Sequence, residues 1–141
     1  MNALVTGATG FIGSVLAREL IDQGHEVRAL ALPGESAKEL ERLGIDIRKG
    51  DLTNPESLRG ICDGMDVVFH LAGRVTDWGK KDLFSRAILD ATRNLLEEAL
   101  GKARRFIYIS SIAAIGLGRH MKGIRETDPV FKSGITYNDA K

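Results

Sequence analysis

Short apolar runs alternate along the chain with longer segments in which apolar residues recur every three or four positions. The short runs have the length of buried β-strands, and the longer segments have the period of amphipathic helices. Strands and helices that alternate in this way are typical of βα units, in which parallel strands lie between layers of helices. The pattern therefore predicts a three-layer α/β fold.

Five strands are expected, with helices between them. The predicted strands are residues 4–6, 26–32, 45–53, 66–71 and 106–110. The predicted helices begin after residue 10, near residue 40, at residue 55, at residue 81 and near residue 135, and residues 111–134 form a loop. The two longest helices show core-facing stripes, which are Ile12, Val15, Leu16 and Leu20 on the first and Leu83, Ala87, Ile88, Ala91, Leu95 and Leu96 on residues 81–100.

Composition narrows the class of protein. The chain has 141 residues, of which 43% are hydrophobic and 28% charged, as in an ordinary globular domain, and we expect residues 1–141 to form a single one. Twenty basic against nineteen acidic residues leave a net charge of +1, which does not favour nucleic acid as a partner. Cys62 is the one cysteine, so neither an internal disulfide nor a cysteine-based metal site is expected. No apolar run is long enough for a membrane span, and we expect a cytoplasmic protein.

A glycine-rich turn joins the first predicted strand to the first predicted helix. Gly7, Gly10 and Gly13 are three residues apart in the stretch Thr-Gly-Ala-Thr-Gly-Phe-Ile-Gly. The first glycine permits a tight turn, the second lets the backbone approach a pyrophosphate, and the third allows close packing of the helix. The N–H groups at the start of the helix then face the phosphates. This arrangement predicts a dinucleotide site.

The same stretch resembles the cofactor loop of the extended short-chain dehydrogenase/reductase family, which includes nucleotide-sugar epimerases and dehydratases, 3β-hydroxysteroid dehydrogenases and dihydroflavonol reductases. Gly50-Asp51-Leu52, His70-Leu71-Ala72-Gly73 and Tyr108-Ile109-Ser110-Ser111 resemble further motifs of this family in order and spacing. The resemblance implies a Rossmann-type, doubly wound parallel sheet that stops after its fifth strand. Family members are considerably longer, so we expect a fragment that lacks the C-terminal, substrate-binding part.

The resemblance also implies which residues contact the cofactor. They are Gly7, Thr9, Gly10, Phe11, Ile12, Gly13, Asp51, Leu52, Leu71, Ala72 and Gly73, together with Tyr137 and Lys141. The choice between NAD and NADP stays open, because Ala31-Leu32 offers neither an acidic residue for a ribose nor an arginine for a 2′-phosphate. Glu35 comes late for the first role, and Lys38 stands among acidic residues. We favour NAD, because a 2′-phosphate without a guanidinium partner is poorly compensated.

Three residues are the candidates for catalysis. Tyr137 and Lys141 are four positions apart, which places both on one face of a helix. An ammonium near the phenol favours the phenolate, so Tyr137 can act as acid or base. Ser111 follows the fifth strand and is expected to hold the substrate oxygen; Ser110 is the competing hydroxyl, and the family pattern favours Ser111. The resemblance also places Ile88 where an asparagine is usual.

These residues predict an enzyme that transfers hydride between a nicotinamide cofactor and a secondary alcohol or ketone. Its substrate is a small molecule such as a sugar nucleotide or a steroid-like alcohol, and the net reaction is oxidation and reduction, epimerisation or dehydration. A homodimer is compatible with this interpretation. The alternatives are a regulatory relative that senses NAD(P) without catalysis and a structural fragment. We expect the 141-residue chain alone to be inactive. His70 is expected to be a packed residue, whereas Trp78 and residues 119–122 could border the substrate.

Overall fold

A computed structural model describes residues 1–74, 81–115, 123–130 and 132–141 of the chain. Trp78 and residues 119–122, which the sequence brought forward as possible neighbours of a substrate, lie outside these ranges. Within the described ranges, no helix is long and apolar enough to cross a membrane.

The described strands form one parallel sheet in the order β3-β2-β1-β4-β5. The strands are β1 (Asn2–Thr6), β2 (Glu26–Ala31), β3 (Asp46–Lys49), β4 (Val67–His70) and β5 (Arg105–Tyr108). The order reverses direction at β1, because β2 and β3 lie on one side of it and β4 and β5 on the other. This topology confirms the predicted doubly wound fold, whose ligands bind at the carboxyl ends of the strands near such a switch point.

Helices connect the strands. The α-helices are α1 (Phe11–Asp22), α2 (Lys38–Arg42), α3 (Lys81–Phe84), α4 (Ala91–Ala99) and α5 (Thr136–Ala140). A π-helical turn over Ser85–Asp90 joins α3 to α4, and short 3₁₀ helices cover Pro55–Leu58 and Ile112–Ile115. Asn54 caps the first of these by accepting a hydrogen bond from the backbone N–H of Glu56, and Pro55 opens it as predicted.

The hydrophobic core lies on both faces of the sheet. On one face, Val5 of β1 belongs to a buried cluster with Ala17 and Leu20 of α1. On the other face, Leu4 packs in a cluster with Leu95 of α4. Successive residues of a strand point to opposite faces, so a strand that is buried on both faces must be apolar throughout. This is why β1 and β4, in the middle of the sheet, read as nearly unbroken apolar runs, whereas the edge strand β3 is mostly exposed and does not.

The predicted stripe of the first helix is wrong in part. Leu20 is buried, but Ile12 and Val15 are 60% and 64% exposed. The buried face is formed by Gly13, Ala17 and Leu20. Small residues on this face let the helix approach the glycine-rich turn and the sheet closely, and the larger residues at its start are turned outward.

The stripe of the long helix needs a similar correction. Leu83 and Leu96 are 46% and 48% exposed, although Ile88 and Leu95 are buried as predicted. Phe84, which lies one turn before Ile88, takes the buried position instead. Neighbouring residues of a helix differ by about 100° in direction, so a stripe one residue too wide includes exposed positions.

Candidate cofactor site and catalytic residues

The turn after β1 is built so that only glycine fits at two of its positions. Gly7 has φ +70, and a β-carbon there would lie 2.8 Å from the backbone nitrogen of Ala72. A β-carbon at Gly13 would lie 2.1 Å from the carbonyl oxygen of Gly7. At Gly10 the only described atom near such a β-carbon is Gly7 O, at 3.2 Å. The loop is therefore packed on two sides and open in front of Gly10.

The N-terminus of α1 begins directly behind this opening. Gly10 is the N-cap residue, no side chain caps the helix, and its first turn contains no acidic residue. Phe11 is 90% exposed, so its side chain does not cover the first turn. The N–H groups and the positive end of the helix dipole are suited to a phosphate. Phe11 and Ile12 can contribute here through their backbone.

A carboxylate lies beside the glycine loop at the end of β2. The hydroxyl of Thr9 donates to Glu35 Oε1 at 2.6 Å, and the backbone N–H of Leu32 donates to Glu35 Oε2 at 3.0 Å. The turn over Pro33-Gly34, with φ +83 at Gly34, returns the chain to the strand end. Glu35 is thus late in sequence but close in space, and this turn was the signal that could have identified it.

Asp51 and Leu52 lie at the same edge of the sheet. Asp51 Oδ1 accepts hydrogen bonds from the backbone and hydroxyl of Thr53, both at 2.8 Å. The side chain of Asn94 donates to the Leu52 carbonyl at 2.9 Å. The preceding residue, Gly50, donates to Ala31 O at the end of β2 at 3.0 Å. The strand was predicted to continue to residue 53, but the structure has a hydrogen-bonded turn there instead. These hydrogen bonds hold the Asp51-Leu52 turn next to the end of β2.

The loop after β4 lies between the glycine loop and Lys141. The backbone N–H of Leu71 donates to Thr6 O, and that of Ala72 donates to Thr6 Oγ1, both at 3.3 Å. A β-carbon at Gly73 would lie 3.6 Å from Lys141 Nζ. The predicted cofactor residues 71–73 therefore lie between the glycine loop, where a pyrophosphate is predicted, and the candidate catalytic residue Lys141.

Lys141 is held against the end of β5. Its ammonium donates to the Ile109 carbonyl at 2.8 Å and lies 4.8 Å from the centre of the Tyr108 ring. Burial lowers the pKa of Lys141 below its usual range. The Lys141 backbone N–H donates to Tyr137 O at 3.1 Å, as expected for residues one helical turn apart. The sequence had no means of finding the contacts with Tyr108 and Ile109, which bridge distant parts of the chain.

Tyr137 and Ser111 lie on neighbouring elements. Tyr137 is half-buried and packs against the cluster of Phe84, Ile88 and Ala140. Ser111 Oγ accepts a hydrogen bond from the Ala113 N–H at 3.2 Å and so begins the 3₁₀ helix Ile112–Ile115, which contacts α5. Burial, with the nearby Tyr137, raises the pKa of Tyr108, so this second phenol stays protonated.

His70 is buried at the end of β4 and hydrogen-bonded on both ring nitrogens, as the sequence predicted for a packed residue. Nδ1 lies 2.7 Å from Thr6 Oγ1, and Nε2 lies 3.0 Å from Thr92 Oγ1. Its ring is 5.5 Å from that of Tyr108, centre to centre. Burial, with the Lys141 charge, lowers the pKa of His70 to about 4. Thr6 and Thr92 are therefore supporting residues that motif reasoning missed.

Comparison with known proteins agrees with this geometry. The chain is 31% identical over 137 residues to a 2-alkyl-3-oxoalkanoate reductase of Shewanella oneidensis, with 96% of this chain and 35% of the relative covered. It is 39% identical over 115 residues to a putative dihydroflavonol 4-reductase of Synechocystis, with 80% and 33% covered. A solved short-chain dehydrogenase/reductase superfamily protein from Agrobacterium tumefaciens, with bound NAD, has 25% identity and a TM-score of 0.84, with 100% of this chain and 42% of that protein covered.

The chain thus spans about a third of the length of these curated relatives. The sequence model of the NAD dependent epimerase/dehydratase family matches residues 3–141, which is nearly the whole chain. The matched region includes the glycine loop, the turn at Asp51, the loop after β4 and the Tyr137–Lys141 pair. The chain belongs to the NAD dependent epimerase/dehydratase family.

Proposed function

We propose that these residues form the cofactor-binding part of an enzyme that uses NAD to oxidise a secondary alcohol or reduce a ketone. The observation that carries the proposal is the uncapped N-terminus of α1 behind a loop that requires glycine at positions 7 and 13. Such a cradle has donors for a pyrophosphate but no side chain of its own that uses them. The space in front of Gly10, which a larger side chain would fill, fits the same group.

The roles of the other cofactor residues follow from their places around this cradle. Gly7, Gly10 and Gly13 with the first turn of α1 bind the pyrophosphate. Thr9, Asp51 and Leu52 border the adenosine half on the β2 side. Leu71, Ala72 and Gly73 border the other half of the cofactor, on the side of the sheet where Lys141 lies.

Glu35 favours NAD over NADP in this proposal. Its carboxylate lies between Thr9 and the end of β2, where a ribose hydroxyl can donate a hydrogen bond to it. A 2′-phosphate at the same place would meet a like charge. Among the described residues that line the adjoining cavity of about 240 Å³, Lys38 is the one basic residue.

Proton transfer is assigned to the residues at the β5 side. When bound, the cofactor would supply the hydride acceptor in its oxidised form and the hydride donor in its reduced form. Tyr137 exchanges the proton with the substrate oxygen, and Ser111 holds that oxygen by a hydrogen bond. The ammonium of Lys141, anchored on Ile109 O, places a positive charge at this end of the site.

The substrate is a small secondary alcohol or ketone. Two of the relatives are reductases by name, which favours reduction of a ketone over epimerisation. We assign most of the substrate-selecting pocket to the parts of such proteins that lie beyond the region matched by this chain.

The test is calorimetric titration of the chain with NAD. Gly10→Val places a branched side chain where the phosphate is expected, so binding should weaken at least tenfold while the far-UV circular dichroism stays unchanged. Glu19→Val is the matched control, because it introduces the same side chain on the exposed face of the same helix. Unchanged affinity in folded Gly10→Val would exclude this site.

A further inference from the structure

A chain of hydrogen bonds runs from the loop after β4 through His70 to the π-helical turn. It begins at the Ala72 N–H, which donates to Thr6 Oγ1 at 3.3 Å, and continues through His70 Nδ1 at 2.7 Å. On the other side of the ring, His70 Nε2 lies 3.0 Å from Thr92 Oγ1, which in turn donates to Ile88 O at 2.5 Å. Four separate elements, which are β1, the loop after β4, α4 and the π-helical turn, are thus linked through one side chain.

The position of the ring proton follows from this arrangement. A threonine hydroxyl has one proton to donate, and that of Thr92 is used on Ile88 O. His70 Nε2 must therefore carry a proton and donate to Thr92. The unprotonated Nδ1 then accepts from the Thr6 hydroxyl, whose oxygen is free to accept from the Ala72 N–H. Only in this tautomer does every donor in this series of hydrogen bonds have an acceptor.

A charged imidazole does not fit the same position. A proton on Nδ1 would face Thr6 Oγ1, whose own proton would then lose its acceptor. The charged and titratable groups that face the ring from the packed elements are Lys141 and Tyr108, and neither supplies a negative charge. The ring is also buried, and the pKa of His70, lowered to about 4, agrees with a neutral form at physiological pH.

The two ends of this series of hydrogen bonds lie beside two different parts of the proposed site, the glycine loop and the helix that carries Tyr137. Thr6 precedes Gly7 directly, and the Ala72 nitrogen is the atom that a β-carbon at Gly7 would strike. At the other end, the side chain of Ile88 packs in the cluster that contains Tyr137. We propose that His70, as a neutral imidazole protonated on Nε2, is a positioning residue that fixes the glycine loop and the loop after β4 relative to the helix against which Tyr137 packs.

This inference rests on the proposed cofactor site. Two of its measurements, the NMR assignment of the His70 tautomer and hydrogen exchange at the Ala72 amide, do not require cofactor. His70→Asn keeps an acceptor near the place of Nδ1, whereas His70→Gln keeps a donor near the place of Nε2. Val68→Ala is the matched control, since it removes buried volume from the same strand without touching the hydrogen-bond chain. The free chain is studied by NMR for the tautomer of His70 and for hydrogen exchange at the Ala72 amide, with urea unfolding as the stability reference.

We expect the ¹³C and ¹⁵N shifts of His70, assigned by their loss in His70→Gln, to report the Nε2–H tautomer without titration between about pH 5 and pH 8. Protection of the Ala72 amide should fall about tenfold more in His70→Gln than in Val68→Ala, and should change little in His70→Asn, because only His70→Gln loses the Thr6 contact. An Nδ1–H tautomer, a titrating ring, or equal Ala72 protection in all three variants would overturn the inference.

Calorimetry with NAD completes the experiment. His70→Gln should weaken binding about fivefold relative to Val68→Ala, a difference that loss of packing alone does not produce. Equal affinities in these two variants would show that His70 has no influence on the proposed cofactor site. If the unmodified chain does not bind NAD, the proposed function fails, and the tautomer and the Ala72 exchange still decide the role of His70.

Discussion

Gly13→Ala is the substitution for which the structure gives the clearest expected loss of stability. An added β-carbon would lie 2.1 Å from Gly7 O, 2.7 Å from Gly7 C and 2.9 Å from Ala8 Cα. All three are backbone atoms, so no side chain can rotate away. Restoring an ordinary carbon–oxygen contact requires the loop or the helix to move by about 1 Å, and overpacking of this kind costs roughly 1–3 kcal/mol.

An opposing contribution has to be subtracted from this cost. Alanine is favoured over glycine inside a helix by about 1 kcal/mol, and Gly13 is the third residue of α1. Since all three close contacts are with backbone atoms, we expect a cost at the upper end of that range, about 3 kcal/mol, which leaves a net loss of roughly 2 kcal/mol in the free energy of unfolding. Because the displaced segment is the proposed phosphate-binding loop, NAD affinity should fall at least tenfold, out of proportion to the loss of stability.

Urea unfolding followed by circular dichroism measures the first effect, and calorimetric titration with NAD measures the second. Ser14→Ala is the control on the same turn, for which we expect a change within about 0.5 kcal/mol, typical of a site without a special role. Unfolding of Gly13→Ala at the same or a higher urea concentration than the unmodified chain would contradict the close approach of Gly13 to the Gly7 carbonyl.

Three further predictions concern selectivity, catalysis and pH. Glu35→Ser should shift the ratio of NADP to NAD affinity at least tenfold towards NADP, about 1.4 kcal/mol, and an unchanged ratio in calorimetry would remove Glu35 from the ribose site. In a form of the protein that shows turnover, Tyr137→Phe should lower turnover about a hundredfold or more at similar NAD affinity, with a smaller loss for Ser111→Ala. Wild-type turnover in Tyr137→Phe would favour a cofactor-sensing role. Hydrogen bonds from Ser133 and Gly134 lower the pKa of Asp139 below its usual 3.8, so this carboxylate stabilises the fold above that pH and ceases to do so as pH falls through its lowered pKa. In acid titrations of stability, Asp139→Asn should show less loss below pH 3.8 than the unmodified chain, and equal slopes would contradict this.

The parts of the fold that depend on local sequence could be predicted. A parallel strand that is buried on both faces is mostly apolar, so Val67–His70 was visible as an apolar run. The spacing of Gly7, Gly10 and Gly13 reflects contacts within eight residues. The core face of α1 could not be predicted in the same way. There a glycine and an alanine are buried for their small size, and a search for large apolar residues selects Ile12 and Val15 instead.

The candidate site depends more on contacts between distant residues. Tyr137 and Lys141 could be paired because both lie on one helical turn, but the anchor of Lys141 on Ile109 O joins residues 32 positions apart. Glu35 was discounted because linear distance from β2 hides the return of the chain at Pro33-Gly34. In both cases the sequence identified the residue as a candidate. It could not show which distant residue the fold brings into contact with it.

The register of the sheet explains why one layer of side chains can serve both halves of the site. Thr6 pairs with His70 across β1 and β4, and His70 pairs with Tyr108 across β4 and β5. These three residues form a row at the carboxyl edge, directly before the glycine loop, the loop after β4 and the segment that leads to Ser111. Since parallel strands end together at this edge, any group that the row holds in place is held relative to all three loops at once. The glycine loop and the Tyr137–Lys141 pair are far apart in sequence, and this row, with Lys141 over Tyr108, is the physical connection between them.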